Sequence, residues 1–305
     1  DQLEDVNKKY PNVIEKISNQ LKITDIRDEL GEDIVSFFGE CKKCDMLPMI
    51  YFHTEEEVSK EIFMKVYDKL QKDEELNYPF HYKILEKKNE YYKKYTERRE
   101  IYSESIKIKT KDARTEKIEK MNRYDKEQKD LYISNMNNYY ENCIEKCKDG
   151  DNSEIRIQNL KREWNEFIFN PDFHEIDIYQ KHSDYCFTRG EPMSGSEIKS
   201  IRKEIKNTTG LQIEYENPVF QLLKRGIGLY IQSMPDEYNW ILQKLMSEKK
   251  LGIVISDRTL CLGIDLPIRS VSFSGYKNPN YTKSDYLQMS GRAGRRGYDN
   301  QGNII

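Results

Sequence analysis

The 305-residue chain has no apolar run of about 18 residues, so no transmembrane helix is expected. No secretory leader opens it. Its six cysteines are irregularly placed, and in a chain with no sign of secretion they are expected as reduced thiols. Cys41-x-x-Cys44 and Cys143-x3-Cys147 lie far apart, and the second pair falls mid-helix. A structural zinc site needs four ligands on converging turns, so no metal is expected there. The four histidines, His53, His81, His174 and His182, are scattered and support neither a metal site nor a triad. No G-x-x-x-x-G-K-[ST] occurs, which removes a phosphate-cradling P-loop. Surplus charge is small, 50 basic against 53 acidic residues for a net charge of −3, so any nucleic-acid contact must be local or shared with parts outside this chain. Apolar residues are also few, 37% against 34% charged, and part of the chain is expected to form no compact core of its own. The chain begins at Asp1, not at a methionine, and stops at Ile305 inside what reads as a strand. It reads as a fragment.

What is present falls into three blocks. Residues 1–70 read as a helical lead-in, with a helix from about 25 to 40, followed by the buried strand Leu47–Phe52 and a helix from Val58 to about Leu70. Residues 71–216 form an insertion. Between His81 and Lys148 it has no proline or glycine, and its opposite charges are interleaved, which favours solvated helices with i,i+4 pairs. A helical hairpin or arm is expected, with Trp164 and its aromatic neighbours docking it onto the rest. The arm reads either as a spacer or as a docking arm for RNA or protein, since interleaved Lys and Tyr can stack on bases and pair with phosphates. Residues 217–305 alternate strand and helix: a helix from Pro218, strand Gly226–Ile231, a helix to Lys249, strand Leu251–Ser256, strand Ser270–Ser274, helix Thr282–Met289 and a last strand from Asn303. Such alternation signals a parallel α/β layer fold.

The densest chemistry lies near the end, in Gln288-x-x-Gly291-Arg292-x-Gly294-Arg295-Arg296-Gly297. Glycine lets the backbone approach a ligand. Arginine offers a rigid fork of donors that matches phosphate oxygens at any useful pH. The run reads as built to meet phosphate, or else as a basic surface turn. Upstream, "ISDRTLCLGIDLP" follows a buried strand, where α/β folds place their active loops. Gly263 frees the backbone there, and Asp265 either accepts from ribose hydroxyls or caps a proline turn. His53-Thr54 closes the first strand as a capped strand-to-helix turn, with Thr54 the cap.

"QMSGRAGRRG" resembles motif VI of superfamily-two helicases, in the wording of the Ski-type DExH-box branch, the RNA helicases that serve the exosome and some antiviral pathways. "TLCLGIDLP" resembles motif V of that family, "LPMIYF" its motif IV, and "LLKRGIGLYIQSM" its R-G-I-G-x-H-H-S-G-M element. The resemblance covers about 47–70 and 217–305. It implies the second of two RecA-like lobes: an α/β fold with a parallel sheet flanked by helices, here carrying a large, mostly α-helical insertion. It also implies roles. Arg295 is the arginine finger on the γ-phosphate of ATP and Arg292 its partner. Gln288 orients the γ-phosphate or the attacking water. Asp265, Gly263, Gly291 and Gly294 line the nucleotide side, and His53, Thr54, Ser256 and Thr259 face nucleic acid. ATP and Mg2+ would be held mainly by a first lobe upstream, because this chain has no DExH box; Asp28-Glu29 and Asp73-Glu74 lie in helical contexts. The implied partners are RNA, with DNA the alternative, the upstream lobe, and a protein on the insertion; no membrane is implied. The implied setting is intracellular, cytoplasmic or nuclear.

The departures from the family concern nucleic acid. Tyr230 and Ile231 stand where the family has two histidines, the arginine common after motif IV is missing, and Asp257 would repel phosphate unless Arg258 neutralises it. The expectation is a motor lobe of an ATP-dependent RNA helicase, inactive by itself. The alternatives are a helicase-like binding module that has lost turnover, and a motor whose insertion is the docking element.

Overall fold

The structure, a computed structural model, describes residues 34–106, 113–148, 152–190, 192–261, 268–274, 282–294 and 302–305. The chain divides into two compact units, Asp1–Asp45 and Met46–Ile305. In the first unit the described element is helix α1, Ile34–Lys43, whose last turn carries Lys42 and Lys43 against the carbonyl end of the helix dipole. The expected helix from about 25 overlaps it, and its first part lies outside the described residues.

The second unit runs β1 (Met49–Phe52), α2 (Glu56–Asn77), α3 (His81–Ser105), α4 (Ala113–Lys146), α5 (Ser153–Phe169), α6 (Gly195–Thr209), α7 (Pro218–Lys224), β2 (Ile227–Tyr230), α8 (Asp236–Ser247), β3 (Ile253–Ser256), β4 (Ser270–Phe273), α9 (Lys283–Ser290) and β5 (Asn303–Ile304). The strands form one sheet in the order β2-β3-β1-β4-β5, and every pairing is parallel. β1 is central, with Met49 opposite Ile253 on one side and Ser270 on the other. Both faces are covered, which is why β1, β2 and β3 are buried at every position and read as continuous apolar runs rather than alternating ones. Ile50, Phe52, Val254 and Val271 pack into one core with Ile198, Ile201 and Ile205 of α6, Leu242 and Leu245 of α8, and Met289 of α9. On α2, the stripe Phe63, Val66 and Leu70 is buried, and that helix packs against β3. The architecture is α/β and RecA-like with a helical insertion.

Helix α2 is longer than its sequence suggested, running through Asn77. The insertion is an antiparallel pair, α3 against α4. Asp125 accepts from Arg99 Nε at 2.8 Å and Nη2 at 3.0 Å and from the Tyr95 hydroxyl at 2.8 Å, while the Tyr102 and Tyr124 rings stack at 4.4 Å. At its base Tyr132, Met136, Tyr140 and Cys143 of α4 meet Leu160 and Phe167 of α5. Burial pushes the Cys143 thiol up to about 11, in keeping with a packing role. Trp164 belongs to this seam. Its indole N–H donates to Asn137 at 2.8 Å and its ring stacks on Tyr140, so it ties α5 to α4 and does not dock the insertion onto the sheet as expected. Where α2 meets the end of α7 the contact is polar and buried. Arg225, at the end of α7, places Nη2 2.7 Å from Glu74 Oε2 on α2, with side-chain exposures of 1% and 0%. Glu74 also accepts from the His182 amide at 2.6 Å and the Tyr82 hydroxyl at 2.9 Å.

Two glycines let the segment around Phe187 cross the amino ends of β2 and β3. Gly226 has φ +77°, and a Cβ there would meet Thr188 N at 2.7 Å. A Cβ on Gly252 would sit 1.7 Å from the Phe187 carbonyl oxygen, which is backbone and cannot swing away. Gly252→Ala is therefore expected to destabilise the unit by about 3 kcal/mol, the upper range for overpacking. Urea unfolding checks this, and an unchanged midpoint would refute the close crossing.

Candidate functional site

β1 hands the chain toward β2 on one side of the sheet, while β4 hands it to β5 on the other. Ligands of open α/β sheets sit in the crevice at such a switch, beyond the carboxyl ends of the strands. Of the residues singled out from sequence, His53, Thr54, Ser256 and Thr259 lie at this edge. Parallel register sets Phe52 opposite Ser256 and Ser256 opposite Tyr230, so the loops after β1, β3 and β2 leave side by side.

After β1, the His53 amide donates to Ser256 O at 3.0 Å. The ring Nδ1 of His53 accepts the Glu55 amide at 3.1 Å, and the residue is 7% exposed. Thr54 does not cap the following helix. Glu55 occupies that place, without a side-chain cap bond, and Thr54 Oγ1 is buried with no hydrogen-bond partner. Glu56, in the first turn of α2, is held below the ordinary carboxylate range by Lys60 first and then by Ser233 from the loop after β2.

After β3, Ser256 is fully buried and its hydroxyl donates to Asp257 O at 2.9 Å. The Asp257 carboxylate brackets two loops, accepting the Gln232 amide at 3.0 Å and the Thr259 amide at 2.8 Å. Thr259 lies in the short 3-10 turn Arg258–Cys261. In place of the histidines of the resembled pattern, Tyr230 is buried and its hydroxyl accepts from Gln243 at 3.1 Å, and Ile231 is fully buried. Both are packing residues.

α9 begins with a capping box. Thr282 Oγ1 accepts the Asp285 amide at 3.2 Å, and Asp285 Oδ2 accepts the Thr282 amide at 2.9 Å. Arg258 Nη2 lies 3.3 Å from the same Oδ2. One guanidinium thus ties the loop after β3 to the helix that carries the arginine run. Burial raises the Asp285 carboxyl, but the Thr282 amide and hydroxyl and then Arg258 outweigh it and hold it below its ordinary value. Because the folded value is depressed, the stabilisation is complete above the ordinary carboxylate range and disappears as pH falls through the depressed value. Asp285→Asn is expected to cost about 1 kcal/mol at neutral pH, in the range of lost helix caps, and to unfold on acidification with one proton's less pH dependence. Urea unfolding across pH checks this; an unaltered pH profile would contradict it.

Along α9, Gln288 is exposed and its amide reaches Ser284 at 3.4 Å. Met289 is fully buried and fixes the helix's rotation. The helix ends at Gly291, the Arg292 amide donates to Met289 O at 3.0 Å, and Gly294 takes φ +98° while its amide donates to Ile268 O at 3.1 Å. Arg292 is half-buried beside that turn. Gly263, Asp265 and Arg295 lie outside the described residues. The structure sets His53, Thr54, Ser256 and Thr259 at this edge, where α9 begins; Gln288 lies along α9, which runs back beside the sheet, and the turn with Gly291, Arg292 and Gly294 sits at the amino end of β4, where the Gly294 amide meets Ile268 O. Sequence reasoning missed the brackets that hold this edge, Asp257 and the Arg258–Asp285 pair. A signal for the second was present, since Thr282-x-x-Asp285 has the spacing of a capping box.

No protein-family model matches the chain. Parts of it match curated helicases. The exosome RNA helicase MTR4 of Mus musculus is 35% identical over 100 residues, 31% of this chain and 9% of the helicase. The DExH-box ATP-dependent RNA helicase DExH9 of Arabidopsis thaliana is 31% identical over 93 residues, 28% of this chain and 9% of the helicase. The Superkiller complex protein 2 of Mus musculus is 30% identical over 91 residues, 28% of this chain and 7% of that protein. The homologues of this chain are DExH-box RNA helicases of the Ski2/Mtr4 type, matched over about a third of its length. The chain spans less than a tenth of the length of these three relatives.

Proposed function

We propose, from the premise that its homologues are DExH-box RNA helicases, that this chain is the second RecA-like lobe of an ATP-dependent RNA helicase. The observation that carries the reading is the coupling at the carboxyl edge: Arg258, from the loop after β3, pairs with the capping carboxylate of α9, the helix that leads into the arginine run. A lobe that must move nucleic-acid and phosphate contacts together needs such a tie.

The donors here fit one side of a nucleoside triphosphate. Arg292 stands at the turn after α9 and Gln288 on the exposed face of the helix, and Arg295 follows the left-handed Gly294. The chain offers no P-loop and no DExH box, so ATP and Mg2+ would be held mainly by an upstream lobe. ATP supplies the phosphoryl group to be cleaved; Arg295 and Arg292 neutralise the charge that develops on it, Gln288 orients the γ-phosphate or the attacking water, and Asp265 accepts from ribose. RNA would run along the other side of the edge, past His53, Thr54 and Thr259. Ser256, buried and bonded to Asp257 O, contributes there by holding the loop.

RNA-stimulated ATP hydrolysis by the longer protein that contains this chain tests the reading. Stimulated turnover is expected. Nucleotide and RNA binding without stimulated turnover would overturn the motor reading in favour of a binding module.

A further inference from the structure

Two of the four histidines converge at the base of the insertion. His81 is the first residue of α3 and His182 precedes the short turn Ser183–Tyr185. Their rings lie 5.1 Å apart, and between them Glu163 of α5 points its carboxylate. His182 Nε2 is 3.2 Å and His81 Nδ1 is 3.7 Å from Glu163 Oε1. One ligand atom from each of the three residues falls within 4.8 Å of the others. Both histidines are buried, and Glu163 Oε2 is buried with no hydrogen-bond partner.

The hydrogen bonds around His81 fix what faces the carboxylate. His81 Nε2 lies 2.9 Å from Gln180 O, which can only accept, so Nε2 carries the proton. In the neutral ring Nδ1 is then a bare lone pair directed at a carboxylate, two acceptors facing each other out of water. Something positive has to stand between them. The spacing suits a metal ion. With metal–nitrogen and metal–oxygen bonds of about 2.0–2.2 Å, a tetrahedral site has ligand–ligand edges of about 3.3 Å. The two edges to Glu163, 3.2 and 3.7 Å, lie on either side of that value. The Gln180 carbonyl is the outer partner that metal-bound imidazoles carry. The site opens on a cavity of about 530 Å³, which leaves room for a fourth, solvent ligand. The cations on its wall are engaged elsewhere: Lys88 on Asp172 at 3.0 Å, and Lys181 on the Tyr82 hydroxyl at 3.1 Å.

We propose that His81, Glu163 and His182 form a binding site for a divalent transition-metal ion of the zinc class, stapling α3 and α5 to the segment that carries His182. The site adjoins the buried contact between α2 and α7, since the His182 amide is the one held by Glu74. Loading makes a definite demand. His182 Nδ1 now accepts the Asp184 amide at 3.2 Å, which places the ring proton on Nε2. When Nε2 binds the ion, that proton is given up and the neutral ring carries one on Nδ1 instead, so the Asp184 amide loses its acceptor and the turn Ser183–Tyr185 must shift.

The test uses the 305-residue chain, treated with chelator and titrated with Co2+ and then Zn2+. Saturable, stoichiometric uptake is expected, with Co2+ ligand-field bands and no sulfur-to-metal charge transfer. Binding should weaken about 100-fold or more in His81→Gln and stay unchanged in His174→Gln. Amide exchange at Asp184 should quicken on loading. X-ray absorption of the zinc-loaded native chain, which needs no variant to fold, should show imidazole and oxygen ligands without sulfur. The proposal is overturned if the native chain takes up no metal, in which case a proton on His81 fills the gap. It is equally overturned if uptake survives His81→Gln or shows thiolate ligation.

Discussion

Arg225→Ala is expected to cost about 3–5 kcal/mol of stability, a large share of what a domain has. The physical reason lies in what remains. Glu74 is fully buried, and burial alone would raise its carboxyl. The Arg225 charge and hydrogen bond, and then the His182 amide, outweigh that and hold it below its ordinary value. Without the guanidinium, Glu74 keeps the His182 amide, the Tyr82 hydroxyl and the more distant Lys181 charge but has lost its directly bonded counter-charge. An unpaired buried carboxylate takes up a proton, so in the variant its folded value rises above the unfolded one. The sign of the pH dependence therefore reverses: the deficit should narrow as pH is lowered into the carboxylate range and widen above it. Replacing both partners, Glu74→Leu with Arg225→Met, should cost only about 1–3 kcal/mol, because a buried pair lies close to balance and the remaining loss is the stranded amide and hydroxyl. Urea unfolding of the two variants across pH separates these effects. Equal losses from the single and double changes would show that the pair is not what joins α2 to α7.

Arg295→Ala in the longer protein is expected to leave nucleotide binding in place and to slow RNA-stimulated hydrolysis by about 10³- to 10⁵-fold, the worth of an arginine that neutralises transition-state charge. Arg295→Lys should recover little of it, since a point charge does not reproduce the two-pronged donor geometry. Single-turnover hydrolysis alongside nucleotide affinity reads the two effects apart. If the variant lost affinity and rate together, Arg295 would be a ground-state contact, and the role assigned to it would move to Arg292 or Arg296.

The fold was legible because its signals are of short range. Each buried strand of a parallel sheet is a continuous apolar run, and LPMIYF, LGIVIS and the run from Ser270 lie where the strands form, trimmed by a residue or two. The described part of the charged stretch without proline or glycine is helical as read, and the Arg99–Asp125 pair links its two helices. The errors came where a side chain's partner is distant. Trp164 and its aromatic neighbours read as the dock between the insertion and the rest, yet the partner of Trp164 is Asn137 on the neighbouring insertion helix. Thr54 has the chemistry of a cap, but the helix starts one residue later, with Glu55 in the cap position. His81 and His182 were counted as scattered because the chain that separates them folds back on itself, and no spacing rule registers that. At the candidate site the motifs mark strand ends and the helix that follows β4. They did not mark Asp257, whose worth lies in the two amides that it brackets.

The central position of β1 also governs how the molecule can assemble. Its neighbours Ile253 and Ser270 are about 200 residues further along the chain, so the middle of the sheet cannot be paired until nearly the whole unit has been synthesised. The entropy of closing so long a loop grows only slowly with length, but closure must precede any gain from pairing. The helical pair α3 and α4 needs no such wait. Its contacts are between neighbours in the chain, and once it folds it draws the ends of its own segment together, shortening the loop that β1 and β3 still have to close. An insertion of this size, placed between the first and second strands, thus lowers the closure cost of the sheet it interrupts if it folds first.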